Sequence, residues 1–311
     1  PELTVNGVRL HYEIAGGGDP VVVLHGGMGT ARLDFGPQID LLAREFRVYA
    51  VDQRGYGRSE HIDRFPDDYL RQQADDTAAW LDALGVLNAL ILGFSDGGIV
   101  GLYLAIERPD LVRALLAVSA SCELDADNMA ALESWLPIEN WPERWDRWAR
   151  ELAEAHGEPY WRHLLVEFVA ANRRIFERGG NYHCDRLHLI RCPVLIVHGG
   201  RDRLINPKHA ETLHRLIPGS ELVVFPECGH NLHRERPEEF NRLMLQFFRK
   251  VAGRMGEENG EAEGPGKIYE PDEELDGSAD SEDPLRRDKK EGDDQVVSLG
   301  SRSFSRARIQ R

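Results

Sequence analysis

Ala89-Leu90-Ile91-Leu92-Gly93-Phe94-Ser95-Asp96-Gly97-Gly98-Ile99 is the stretch whose reading decides the fold. Its first four residues form a continuous apolar run, as in a strand buried on both faces of a sheet. From Gly98 to Arg108 the apolar positions fall at helical spacing, and Pro109 ends the helix because the residue before a proline disfavours the helical conformation. Between strand and helix stands Gly-x-Ser-x-Gly. A serine on so tight a turn takes a strained backbone conformation, and glycines two residues to either side remove the side chains that would clash there. The turn also aims the hydroxyl at the free N–H groups of the helix start, where developing negative charge is favoured. Ser95 is the candidate nucleophile.

Outward from this turn, strands and helices alternate. Residues 3–5 and 9–14 read as a hairpin turned at Asn6-Gly7. Residues 21–24 and 47–51 are further apolar runs, and residues 69–84 show helical spacing through Leu70, Ala74, Ala78 and Leu81. Beyond the turn, residues 112–118, 194–198 and 221–225 read as strands, and residues 208–216 and 238–252 as helices. This order predicts an α/β fold with a mostly parallel sheet covered by helices on both faces. Residues 121–186 break the alternation. They hold helical periodicity and five of the six tryptophans (Trp135, Trp141, Trp145, Trp148, Trp161). They read as a helical cap over the carboxyl edge of the sheet, where ligands bind in open α/β sheets. The core then comprises residues 1–120 and 187–252. Residues 253–311 form an acidic tail with a basic end, SRSFSRARIQR, and too few apolar side chains to offset the entropy of ordering. That tail is expected to be disordered, and nothing in it identifies a partner.

A serine hydroxyl needs a base beside it to act as a nucleophile at neutral pH. In a sheet of this kind the acid and the base follow the serine in the chain, on loops beyond later strands. Asp202, in HGGRDRLINP, and His230, in PECGHNLHRERPEEF, occupy those places. His230 takes the Ser95 proton and returns it to the leaving group, and Asp202 orients the imidazole and stabilises its charged form. His233 and His198 are the competing bases, and Asp185 and Glu227 the weaker acids. The oxyanion donors are the Asp96 N–H, directly after the nucleophile, and the Gly27 N–H in His25-Gly26-Gly27-Met28-Gly29, with Met28 as the neighbouring possibility. The Asp96 carboxylate can project into the pocket, and Met28, Phe94, His233 and Trp141 are expected beside the substrate. Asp52-Gln53-Arg54-Gly55-Tyr56-Gly57-Arg58-Ser59 reads as a structural turn. His230 and His233 supply no third ligand, so neither metal nor cofactor is expected.

A formal charge of -15 argues against nucleic acid as a partner, because phosphate binding needs clustered Lys and Arg. No apolar run approaches the roughly 20 residues of a membrane span. The N-terminus PELTVNGVRLHY lacks the basic start and apolar stretch of a signal peptide. The four cysteines, without C-x-x-C spacing, are expected to be free thiols in a cytoplasmic protein.

Taken together, HGGMG, DQRGYGRS, GFSDGG, GGRDRLINP and CGHNLHRERPEEF resemble the α/β-hydrolase superfamily over roughly residues 3–250. VNGVRLHYEIAGGGD, DFGPQ, SDGGI, CPVLIVHG and GHNLH are similar to the subgroup of the valacyclovir hydrolases. That resemblance implies Ser95, Asp202 and His230 as a triad and Gly27 and Asp96 as oxyanion donors. It also implies that the Asp96 carboxylate holds a substrate α-amino group. The chain departs from that subgroup in its HGG, its cap sequence and its tail. The expected activity is serine hydrolysis of small carboxylic esters, α-amino-acid esters among them. Open beside it stand C–C bond hydrolysis, amide hydrolysis or perhydrolysis on the same triad, and a slow small-molecule receptor.

Overall fold

The computed structural model describes residues 1–253. Of the tail expected to be disordered, residues 253–311, all but Gly253 lie outside the described residues. The chain opens with β1 (Glu2–Val5) and β2 (Val8–Gly16), paired antiparallel. Asn6 and Gly7 both stand in the left-handed region at the turn between them, as an Asn-Gly hairpin requires. Then follow β3 (Pro20–Leu24), α1 (Ala31–Leu42), β4 (Arg47–Val51), α2 (Tyr69–Leu84), β5 (Ala89–Phe94), α3 (Asp96–Glu107) and β6 (Val112–Val118). A helical insertion comes next, with α4 (Ala126–Glu133), α5 (Asp146–His156) and α6 (Tyr160–Glu177). The chain returns to the sheet with β7 (Val194–Gly199), α7 (Lys208–Leu216), β8 (Glu221–Phe225), α8 (Leu232–Glu235) and α9 (Pro237–Val251).

The described strands form one sheet in the order β1-β2-β4-β3-β5-β6-β7-β8, parallel from β4 onward. Successive side chains of a strand point to opposite faces, and the core divides accordingly. Val22, Leu24, Ile91, Leu115 and Ile196 pack on one side with α2, α3 and the insertion. Val21, Val23, Leu90, Leu92, Leu116 and Val197 pack on the other with α1 and α9. Burying such a side chain contributes about 1.5–3 kcal/mol, so the continuous apolar runs of β3 and β5 suit only a doubly covered sheet.

Helix α1 has no counterpart in the sequence reading, because Gly36-Pro37 interrupts its pattern. It forms with a break at Phe35 (φ -124°, ψ 21°), which lets Pro37 begin a second segment where its missing N–H costs little. Thr30 caps the start by accepting the Leu33 N–H at 3.1 Å.

The cysteine expectation is corrected. Cys122 and Cys184 are joined in a disulfide, and Cys192 and Cys228 are free. The bond sits at the base of the insertion, beside the Leu124 N–H to Gly180 carbonyl and Tyr182 N–H to Cys122 carbonyl bonds, and ties its two ends together. Sequence spacing gave no hint of it, because the two cysteines lie 62 residues apart. The thiol argument for a reducing compartment falls with it. Among the described residues no helix is long and apolar enough to cross a membrane.

Candidate active site

Ser95 stands at the end of β5 with φ 51° and ψ -119°, a conformation costly for any residue with a Cβ. The backbone is locked there: the Ser95 N–H donates to the Val118 carbonyl, and the Ser95 carbonyl accepts from Gly98 and Ile99. The flanking glycines are required sterically. A Cβ at Gly97 would lie 2.1 Å from the Leu24 carbonyl oxygen, and one at Gly93 would lie 2.4 Å from that of Gly97. Helix α3 starts at Asp96, two residues earlier than its periodicity predicts, which leaves the Asp96 amide at the open helix end.

Beyond β7, Asp202 is buried in a turn where its Oδ1 accepts the Leu204 and Ile205 amides at 2.9 and 2.8 Å. Its Oδ2 faces His230 Nδ1 at 2.7 Å. Burial would raise this carboxyl, but the His230 charge and hydrogen bonds from His198 and His230 outweigh it and hold Asp202 well below the usual range. The Ser119 hydroxyl donates to the His230 carbonyl at 2.9 Å and so holds the His230 backbone at the carboxyl edge of the sheet. Of the competing residues, His198 Nε2 lies between the Ile205 carbonyl at 2.8 Å and Asp202 Oδ2 at 3.4 Å, behind the Asp202–His230 pair, while Asp185 is exposed beside Asn181 and Glu227 pairs with Arg201.

The loop after β3 is pinned at several points. His25 Nε2 accepts the Gln53 N–H, so its Nδ1 proton points to the Gly26 carbonyl at 2.8 Å. The Gly26 N–H donates to Asp34 at 2.8 Å, and the Gly29 N–H to the Gly26 carbonyl. Burial pushes the Asp34 carboxyl up to about 7, against the Gly26 bond and the charge of Arg234. The Gly26 and Gly29 amides are thus engaged, and no bond to the Gly27 amide is found among the described residues.

A cavity of about 230 Å³ joins these parts. Gly27, Met28, Phe94, Ser95, Asp96 and His230 line it from the sheet edge, and Trp135, Trp148, Phe168 and Asn172 from the insertion. Two expected lining residues lie elsewhere. His233 is fully buried between Phe35 and Phe94, at centroid distances of 4.9 and 4.6 Å, and belongs to the core. Trp141 stacks on Trp148 at 4.8 Å and donates its indole N–H to the Trp135 carbonyl, so it stands behind the tryptophans that face the cavity.

The Asp96 carboxylate accepts the Tyr69 hydroxyl at 2.9 Å, and Asn172 in turn contacts Tyr69. Burial pushes its pKa up to about 6, with the Tyr69 bond and the His230 charge acting the other way. Arg173 and Arg174 pair elsewhere, Arg173 with Glu133 and Arg174 with Asp67.

The alpha/beta hydrolase family model matches residues 21–243. The chain belongs to the α/β-hydrolase family. It is 36% identical to human "Serine hydrolase BPHL" over 252 residues, covering 79% of this chain and 85% of that protein. It is 30% identical to the "Putative carbamate hydrolase RutD" of Enterobacter cloacae, covering 73% and 91%. Among solved structures, it superposes on the meta-cleavage product hydrolase CumD from Pseudomonas fluorescens with TM-score 0.71 and 24% identity, covering 81% and 98%. It also superposes on Est816, an N-acyl homoserine lactone degrading enzyme, with TM-score 0.65 and 27% identity, covering 79% and 100%.

This α/β hydrolase therefore has a cavity whose sheet-side wall was readable from motifs, while Tyr69, Asn172, Trp135 and Trp148 were not. Asp34 left one trace, since it opens the DFGPQ motif. Tyr69 left none. It reads as the first residue of a helix, and only the packing of α2 on α3 makes it a partner of Asp96.

Proposed function

We propose that this hydrolase cleaves small carboxylic esters by acyl transfer through Ser95, and that esters of α-amino acids are its preferred class. The observation that carries the reading is the bond between His230 Nδ1 and Asp202, at a cavity that also exposes Ser95. With Nδ1–H donating to Asp202, Nε2 is left as the basic nitrogen. Ser95 Oγ attacks the ester carbonyl carbon as His230 Nε2 takes its proton. The negative oxygen of the tetrahedral intermediate meets the Gly27 and Asp96 amides, aimed before the charge develops. Collapse breaks the bond to the leaving oxygen, which receives the proton from His230. Water, deprotonated by the same imidazole, then attacks the acyl-enzyme, and Ser95 departs with that proton.

The preference for α-amino esters rests on the Asp96 carboxylate, which lines the cavity with a single neutral hydroxyl donor. An ammonium group is the natural second partner of such a buried acid, since a charged hydrogen bond contributes roughly 1.5–3 kcal/mol. The test is turnover of p-nitrophenyl and L-valine esters by wild type and Ser95→Ala, with fluorophosphonate labelling of both. Ser95→Ala is expected to lose about 10⁶ in kcat and all labelling while staying folded. A variant retaining a tenth of the activity would refute the acyl-transfer reading.

A further inference from the structure

We propose, resting on the acyl-transfer reading above, that His156 is a positioning residue for the oxyanion hole and couples seating of the helical insertion to the Gly27–Met28 turn. His156 is the last residue of α5, and its ring is buried against the sheet edge. The Gly57 N–H donates to its Nδ1 at 2.9 Å. The ring proton therefore sits on Nε2, which donates to the Met28 carbonyl at 3.0 Å. Burial pushes the ring's pKa down to about 4, so it is neutral near pH 7, as an acceptor nitrogen requires. One imidazole thus ties the insertion to the backbone of two loops, those after β3 and β4. The aromatic ring of Tyr56 packs edge-on between it and His25.

The carbonyl it holds belongs to a backbone that needs holding. Met28 stands at φ 63°, in the left-handed region that side chains rarely adopt, and such a conformation persists only where the surroundings over-determine it. The near end of the turn is clamped by the sheet domain. The Gly27 N–H shares a peptide unit with the Gly26 carbonyl, which is held by His25 and Gly29, and the Gly26 N–H is held by Asp34. The far end is held by His156, a residue of the insertion. Lifting α5 from the sheet edge breaks that bond and leaves the turn that carries the Gly27 N–H held at its near end only. The oxyanion hole is therefore held at both ends only with α5 seated, and turnover is fastest in that state.

The two imidazole nitrogens are separable by substitution. The amide nitrogen of glutamine falls near the Nε2 position and keeps a donor for the Met28 carbonyl. The amide oxygen of asparagine falls near Nδ1, keeps the bond to Gly57 and does not reach Met28. The experiment measures kcat and KM on a p-nitrophenyl ester, together with melting temperature, for wild type, His156→Gln and His156→Asn. His156→Asn is expected to lose about 10- to 100-fold in kcat, less than the 10²–10³ of removing a donor outright, with KM and melting temperature nearly unchanged. His156→Gln is expected to recover most of that loss. Equal kcat in all three, equal losses in both variants, or losses matched by a fall in melting temperature or a rise in KM would make His156 a packing residue. Ser95→Ala in the same assay keeps the two questions apart, since an active Ser95→Ala overturns the reading on which the proposal rests, whatever His156 does.

Discussion

The turn after β7 and the turn after β5 each bury an aspartate at the same edge of the sheet, and the two carboxyls are shifted in opposite directions. Asp202 receives two backbone amides and two histidines, and these outweigh its burial. Asp96 receives one tyrosine hydroxyl, and burial wins, raising it to about 6. The difference teaches that depth alone does not set a carboxylate's behaviour. The number of donors and the charge of the neighbours decide it. A carboxylate fully supplied with donors is suited to hold an imidazole through a reaction. One left short of donors is suited to receive a cation from outside.

The most severe way to break this contrast is Asp202→Asn. The amide oxygen keeps the Leu204 and Ile205 bonds, while its NH₂ faces His230 Nδ1 and forces the ring into the wrong tautomer. A loss of about 10⁴ in kcat is expected, equal on all esters, with the fold retained by circular dichroism. A loss below tenfold would take Asp202 out of the reaction.

Asp96→Asn tests the other side. The isosteric amide still accepts the Tyr69 hydroxyl but carries no charge, so kcat/KM on an L-valine ester should fall about 10- to 150-fold, while the matched ester without the amino group changes little. Equal losses on both substrates would reduce Asp96 to a structural carboxyl and erase the contrast.

The smallest effect is the sharpest. A carboxyl with a raised pKa is ionised only above that value, so the ammonium partner is lost as pH falls through about 6. The ratio of kcat/KM for the amino ester to that for the neutral ester should drop roughly tenfold between pH 7 and pH 5. Taking the ratio cancels the titration of His230, which acts on both substrates. A flat ratio would mean that Asp96 does not bind the amino group in its charged form.

The legibility of these parts in the sequence was uneven, for physical reasons. The hairpin, the buried strands and α2 follow from local periodicity, and their observed bounds agree with the reading to within two or three residues. Ser95 was legible because a tight strand-to-helix turn needs glycines at Gly93 and Gly97, where the structure leaves no room for a Cβ. Helix α1 was hidden because Gly36-Pro37 mimics a loop, and the break at Phe35 is visible only in three dimensions. Trp141 was chosen over Trp135 and Trp148 because all three sit in one aromatic cluster, and its sequence does not say which member faces inward. His233 looked like pocket wall because it lies three residues from His230, yet the first turn of α8 carries it back into the core.

By itself, the sequence determined the order of the strands and of helices α2, α3, α7 and α9, the turn that presents Ser95, and the places of Asp202 and His230 beyond later strands. These depend on short-range regularities: a period of two or 3.6, a glycine where a Cβ clashes, a proline where a helix must end. Only the tertiary structure decided that Cys122 meets Cys184, that Tyr69 stands against Asp96, and that His156 reaches the Met28 carbonyl. Each of those contacts joins residues 27 to 128 positions apart. No local pattern encodes them, because they depend on how α2 packs on α3 and how the insertion packs on the sheet, and packing is set by the summed fit of whole surfaces rather than by any one residue's neighbours in the chain.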